Sequence, residues 1–292
     1  MQSNNTVFLL LLSIATWTPT TAVIAGEVSL EKLWELDGLS KPESVVYDKR
    51  SNALYVSNIN GSPMEKDGNG FISKVSLQGK LIANKWVTGL DAPKGLAIHD
   101  NKLYVTDIDS LVEIDMNTAT ILNRYKAEGG KFLNDITAAE DGTLFISDSR
   151  TNTLYRFNGS MEKWMTSAAF DSPNGLLAET GRLVVGTMGT GFTPDSAPGQ
   201  LLAVSRSNRI ISYLTHGRIA LIDGVEADLD HNGYYVTANL NGELLHISNL
   251  GEVKTLLKIE PGMADHEYIR EKDMIIMPFL RSGKLLAYKL LH

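Results

Sequence analysis

The stretch PKGLAIHDNKLYVTD, Pro93–Asp107, holds a structural repeat in miniature. A first arm, Pro93-Lys94-Gly95-Leu96, leaves one turn, Asp100-Asn101 makes the next, and Leu103-Tyr104-Val105-Thr106-Asp107 returns as a short β-branched and aromatic run. A run of that kind behind a turn reads as the second arm of a hairpin. It recurs as Leu54–Asn58, Leu144–Asp148, Leu183–Thr187, Tyr234–Ala238 and Met274–Pro278. First arms lie ten to twelve residues upstream: Pro42-Glu43-Ser44-Val45, Leu133-Asn134-Asp135-Ile136, Pro173-Asn174-Gly175-Leu176, Ile222-Asp223-Gly224-Val225 and Ala264-Asp265-His266-Glu267. Third strands (Ser110–Met116, Thr153–Phe157, Gln200–Val204, Glu243–Ile247) and fourth strands (Ile121–Tyr125, Arg209–Tyr213) follow. Four strands in each of six repeats predict an all-β fold, a six-bladed β-propeller.

The first-arm markers are spaced by 51, 40, 40, 49 and 42 residues. The excess in two repeats falls in Asn58–Gly70 and Thr187–Gly199, whose Gly, Pro, Asp and Ser content predicts long loops on the channel face. Only 28 residues remain from Asp265 to the end, too few for a whole blade. Val28–Leu36 is therefore predicted to complete the last blade and close the ring, which removes a free sheet edge.

Val7–Ala15 is a nine-residue, almost wholly apolar run ahead of Val23-Ile24-Ala25-Gly26, and the first charged side chain is Glu27. This pattern reads as a secretory signal peptide over 1–25, although Met1–Thr6 lacks the usual Lys or Arg. The run is too short to span a bilayer, which takes about 20 apolar residues. The expectation is a periplasmic or secreted protein, with residues 26–292 as one propeller domain and no membrane insertion after the signal is removed. A net charge of −7 without a basic run points away from nucleic acid and anionic membranes. With no cysteine, disulfides, thiolate zinc sites and cysteine nucleophiles are excluded.

In a propeller the innermost strands start around a central channel. Glu43, Lys94, Asn134, Asn174, Asp223 and Asp265 are therefore expected to face one another. Three carboxylates gathered out of water are costly unless compensated. Lys94 offsets one charge, and a bound cation is the simplest compensation for the rest. An oxygen-only donor set suits Ca2+ first and Mg2+ second. The competing reading is that Asn and Asp merely cap turns.

Pro42-Glu43, Leu133-Asn134-Asp135, Pro173-Asn174-Gly175-Leu176 and Asp223-Gly224-Val225 resemble the four metal-ligand motifs of the gluconolactonase, senescence-marker protein and paraoxonase superfamily. The resemblance covers nearly all of 38–292. It implies a six-bladed calcium-dependent hydrolase of a lactone, aryl ester or organophosphate, with Glu43, Asn134, Asn174 and Asp223 as ligands of one catalytic calcium. The sugar-lactonase branch carries a substrate-binding Arg two residues before the third-blade Asn. This chain has Phe132 there, which points away from a gluconate-type lactone and toward a less polar small-molecule lactone or ester.

A calcium at the pocket floor would polarise the substrate carbonyl and position water. Asp223 is a candidate ligand and acid/base, Asp265 an independent base, His266 a proton-transfer group or a packed residue, and Lys94 an orienter of substrate oxygen or a partner of Asp265. The alternatives are a non-catalytic ligand- or protein-binding propeller with a structural calcium, and a metal-free catalyst of the strictosidine-synthase type. Asp67–Gly70 lacks the full ligand set of a calcium loop. Gly186–Gly191 precedes no helix that could cradle phosphate. Asn60-Gly61-Ser62 and Asn158-Gly159-Ser160 are sequons that matter only in a eukaryotic secretory route. Trp34 and Trp86 are read as packing residues.

Overall fold

The computed structural model describes residues 28–191 and 195–292; the signal peptide expected over 1–25 lies outside them. Six four-stranded antiparallel sheets form the blades of a propeller. Inner strands are Pro42–Asp48, Pro93–His99, Leu133–Ala138, Pro173–Glu179, Ile222–Asp228 and Glu267–Ile269. The ring closes as predicted: Ser29–Leu36 pairs with Lys284–Leu291 and becomes the outer strand of the sixth blade. Third strands Leu201–Ser205 and Ser110–Asp115, and the fourth strand Ile211–Tyr213, fall within two residues of their predicted bounds.

The two-residue period of a strand explains how the blades hold together. In the second strand of blade one, Leu54 and Val56 enter a core with Ile269, Ile276 and Leu285 of blade six. Tyr55, between them, enters a core with Leu96, Leu103 and Val105 of blade two. Each blade buries both faces, one against each neighbour, and the same division recurs at the remaining interfaces. Trp86 lies 4.5 Å from the Tyr55 ring, and Trp34 donates its indole N–H to Leu77 O at 2.8 Å. Both tryptophans therefore pack. No helix among the described residues is long and apolar enough to cross a membrane.

One irregularity is shared by the inner strands of blades one to five. Pro42, Pro93, Leu133, Pro173 and Ile222 pair with the second strand. Pairing then shifts, and resumes at Val45, Leu96, Ile136, Leu176 and Val225. Each shift releases a dipeptide from the ladder, as a β-bulge does when it re-aims a side chain. The released pairs are Glu43-Ser44, Lys94-Gly95, Asn134-Asp135, Asn174-Gly175 and Asp223-Gly224. Hydroxyls of the second strand satisfy the freed amides: Ser44 N donates to Ser57 Oγ (2.9 Å), Asp135 N to Ser147 Oγ (2.9 Å) and Gly224 N to Thr237 Oγ1 (2.8 Å). The recurring Ser or Thr of the second arm thus has a physical task. Blade six keeps the shift with a longer gap: an isolated bridge pairs Met263 with Phe279 and pairing resumes at Glu267 with Ile276, which releases Ala264-Asp265-His266.

Candidate metal and substrate site

The first residue of every released pair points to one end of the channel. Glu43, Lys94, Asn134, Asn174 and Asp223 line a cavity of about 240 Å³, and all five are buried. Its walls are apolar: Ile59 and Pro63 from the first long loop, Met188 from the second, and Phe132, Leu221, Leu240 and Leu280. The two long loops therefore reach the channel face. Lys41 and Arg281, both exposed, complete the lining.

Asp223 is held from two sides. Asn174 Nδ2 donates to Asp223 Oδ1 at 2.9 Å and Asn239 Nδ2 to Asp223 Oδ2 at 2.6 Å. Burial raises its pKa to about 6, although both amides pull the other way. Glu43 is pushed well above the usual carboxylate range, by burial first and by the Asp223 charge second. Burial lowers Lys94 to about 8 against the pull of Glu43. The Lys94 ammonium donates to Ala92 O at 2.9 Å and sits 4.6 Å from the Phe132 ring centroid. Phe132 therefore offers its π-face to the lysine, a contact worth more when desolvated.

Among the described residues no three His, Asp or Glu side chains gather as a metal cluster. The donor set on the cavity floor is instead two carboxylates and two amides. Glu43 Oε2 and Asn134 Oδ1 are buried without a hydrogen-bond partner, while Asn134 Nδ2 is anchored to Ser149 Oγ at 3.0 Å. Orphaned buried oxygens are costly. Two of them beside a repelling carboxylate pair fit a hard divalent cation in their chemistry.

Asp265 and His266 lie elsewhere. Together with Asp135, Glu226 and Glu267 they line a second cavity of about 160 Å³ further along the channel. Asp265 accepts from Ser44 Oγ at 2.7 Å, and burial raises it to about 7. Asp135 accepts from Leu176 N at 2.6 Å and Ile136 N at 2.7 Å, so its carboxylate bridges blades three and four. His266 is driven down to about 3 by burial, so its ring is neutral at ordinary pH. Glycines make room for this layer. A Cβ on Gly224 would stand 2.4 Å from Asp265 Oδ1, and one on Gly95 2.6 Å from Asp135 Cα. The expected ring of six therefore divides into five residues at the floor and Asp265 one layer beyond, where the Ser44 hydroxyl holds it. Asn239 was not foreseen, although it follows the recurring Tyr234–Ala238 segment by one position. Lys41 and Arg281 carry no repeat signature.

No family model and no curated protein sequence matches the chain. Solved structures do. A gluconolactonase from Xanthomonas campestris superimposes with a TM-score of 0.69 at 14% identity, over 91% of each chain. A virginiamycin B lyase from Staphylococcus aureus gives 0.62 at 12% identity, over 91% of this chain and all of its own. At such identities the likeness is one of architecture: the chain is a six-bladed propeller whose fold superimposes on gluconolactonase and virginiamycin B lyase structures.

Proposed function

We propose that the protein is a hydrolase of a lactone or ester that acts with a divalent cation, calcium before magnesium, held by Glu43, Asn134, Asn174 and Asp223. The observation that carries this reading is the pair of orphaned buried oxygens, Glu43 Oε2 and Asn134 Oδ1, on a floor shared with Asp223 and Asn174. When bound, such a cation supplies electrophilic polarisation of the substrate carbonyl and acidifies water. The protein's own residues do the rest. Phe132, Met188, Leu221 and Leu280 exclude solvent and favour a substrate less polar than a sugar lactone. Lys94, one carboxylate's worth of counter-charge, faces developing negative charge on the substrate oxygen. Asp223, at about 6, is the floor group suited to take a proton near neutral pH. Asp265 and His266 act from the next layer by fixing the inner strands, not by touching substrate.

The fold neighbours support a small-molecule substrate and do not choose the reaction, since one is named a lactonase and the other a lyase. A non-catalytic binding propeller is the second reading. The observation favouring it is that both oxygens of Asp223, the proposed proton acceptor, already accept from amides. The test is calorimetric titration of calcium into chelator-treated protein, followed by a lactone and aryl-ester panel with and without calcium. Calcium binding with calcium-dependent turnover supports the hydrolase. Binding without turnover leaves the binding propeller, and absence of binding overturns the metal site.

A further inference from the structure

The cavity does not end at its apolar walls. Lys41, Leu280 and Arg281 also line a second, more open cavity of about 450 Å³ between blades one and six, continuing over Ser40, Asn60 and Ser282. Among the described residues no carboxylate lines this outer cavity. Lys41 Nζ is turned toward Gly61 O at 2.6 Å, and neither Lys41 nor Arg281 forms an ion pair with a carboxylate among the described residues. Two cations without counter-charges at one mouth stand out on a chain whose net charge is −7.

We infer that this outer cavity is an anion subsite, and that the substrate is an amphipathic molecule with an apolar body and a distal carboxylate. The inference rests on the hydrolase reading for the reacting end alone. The polarity of the two cavities orients such a molecule. A free carboxylate is drawn to Lys41 and Arg281 at the mouth, where no carboxylate competes, whereas on the floor Glu43 and Asp223 offset the charge of a bound cation. The apolar body fits the walls between them, and the neutral ester or lactone carbonyl is left as the part that reaches the floor. Arginine supplies a planar fork for a carboxylate, and lysine a mobile point charge.

The probes are the half-anilide of adipic acid, with an amide in place of the scissile ester, and its methyl ester. Calorimetry with the full chain in calcium measures the affinity ratio of acid to methyl ester. The expected result is a preference for the acid of about tenfold, falling about threefold in Arg281→Gln and about threefold again when Lys41→Gln is added. In the unaltered protein the preference shrinks as salt rises from roughly 0.02 M to 0.5 M, because exposed charges are screened. Equal affinity for the two probes, no binding of either, or a preference that survives both substitutions overturns the subsite. The matching 4-nitrophenyl ester tests the chemistry separately. A retained preference without turnover defeats the hydrolase and leaves the subsite standing.

Discussion

Asn239 contributes one amide to Asp223, and that amide holds the carboxylate's pKa below where burial alone would put it. Protons compete with a cation for Asp223, so calcium affinity should fall as pH drops through about 6. In Asn239→Ala the same fall should begin at a higher pH, up to about one unit, because the remaining carboxylate loses a donor that favours its charged form. Calcium titrations across the acid range check this. A second expectation concerns Glu43, whose pKa burial pushes well above the usual carboxylate range. Such a group contributes stability that is complete below the unfolded pKa and is lost as pH rises through the folded one. Without metal, Glu43→Gln should therefore melt at a higher temperature than the parent above about pH 5 and at the same temperature near pH 4, and thermal melts in chelator would show it. The five floor residues were readable in the sequence because they occupy one position of a repeat. Asp265 holds the matching repeat position, yet its carboxylate turns to Ser44 Oγ in the next layer, and which way a released side chain turns is not written in the repeat. Arg281 and Lys41 belong to connections between blades, where no periodicity guides the eye.

Elements approach one another here closer than most side chains allow. The inner strand of blade five passes Asp265 and His266 at Gly224, where a Cβ would lie 2.4 Å from one and 2.7 Å from the other. Gly224→Ala must push strand from strand, and overpacking of this kind costs about 1–3 kcal/mol. Chemical denaturation should register that loss together with weaker calcium binding, since Asp223 is the preceding residue. The closing strand Ser29–Leu36 is the other element on which the fold depends. It was legible from arithmetic alone, because the last repeat was too short and the first segment had no blade. A variant lacking residues 1–38 should lose the partner of Lys284–Leu291 and unfold at a clearly lower temperature than the parent. Equal melting temperatures would show that the ring needs no closure.

At the scale of the molecule, a cation on the floor would act as a fold ligand as well as a chemical one. All four proposed donors sit on inner strands of different blades, one, three, four and five. A ligand that binds only the assembled ring stabilises it by about 2.7 kcal/mol at a hundred times its Kd. Calcium at that excess should raise the melting temperature of the parent, and Asp223→Ala should remove most of the rise. Blade number and order were clear in the sequence because each blade is a local repeat. Layering along the channel was not, since it depends on how far each strand penetrates the centre.

Ring closure also sets the order of events in time. Ser29 pairs with Leu291, 262 residues later in the chain. Blades one to five can assemble from neighbours as they emerge, but the closing strand must wait, unpaired, until Lys284–Leu291 has been made. Contacts so distant along the chain form slowly. The slowest phase of refolding should be the sealing of blade six. Until it happens the two matching edges are open to the wrong partner, including the same edges of a second copy.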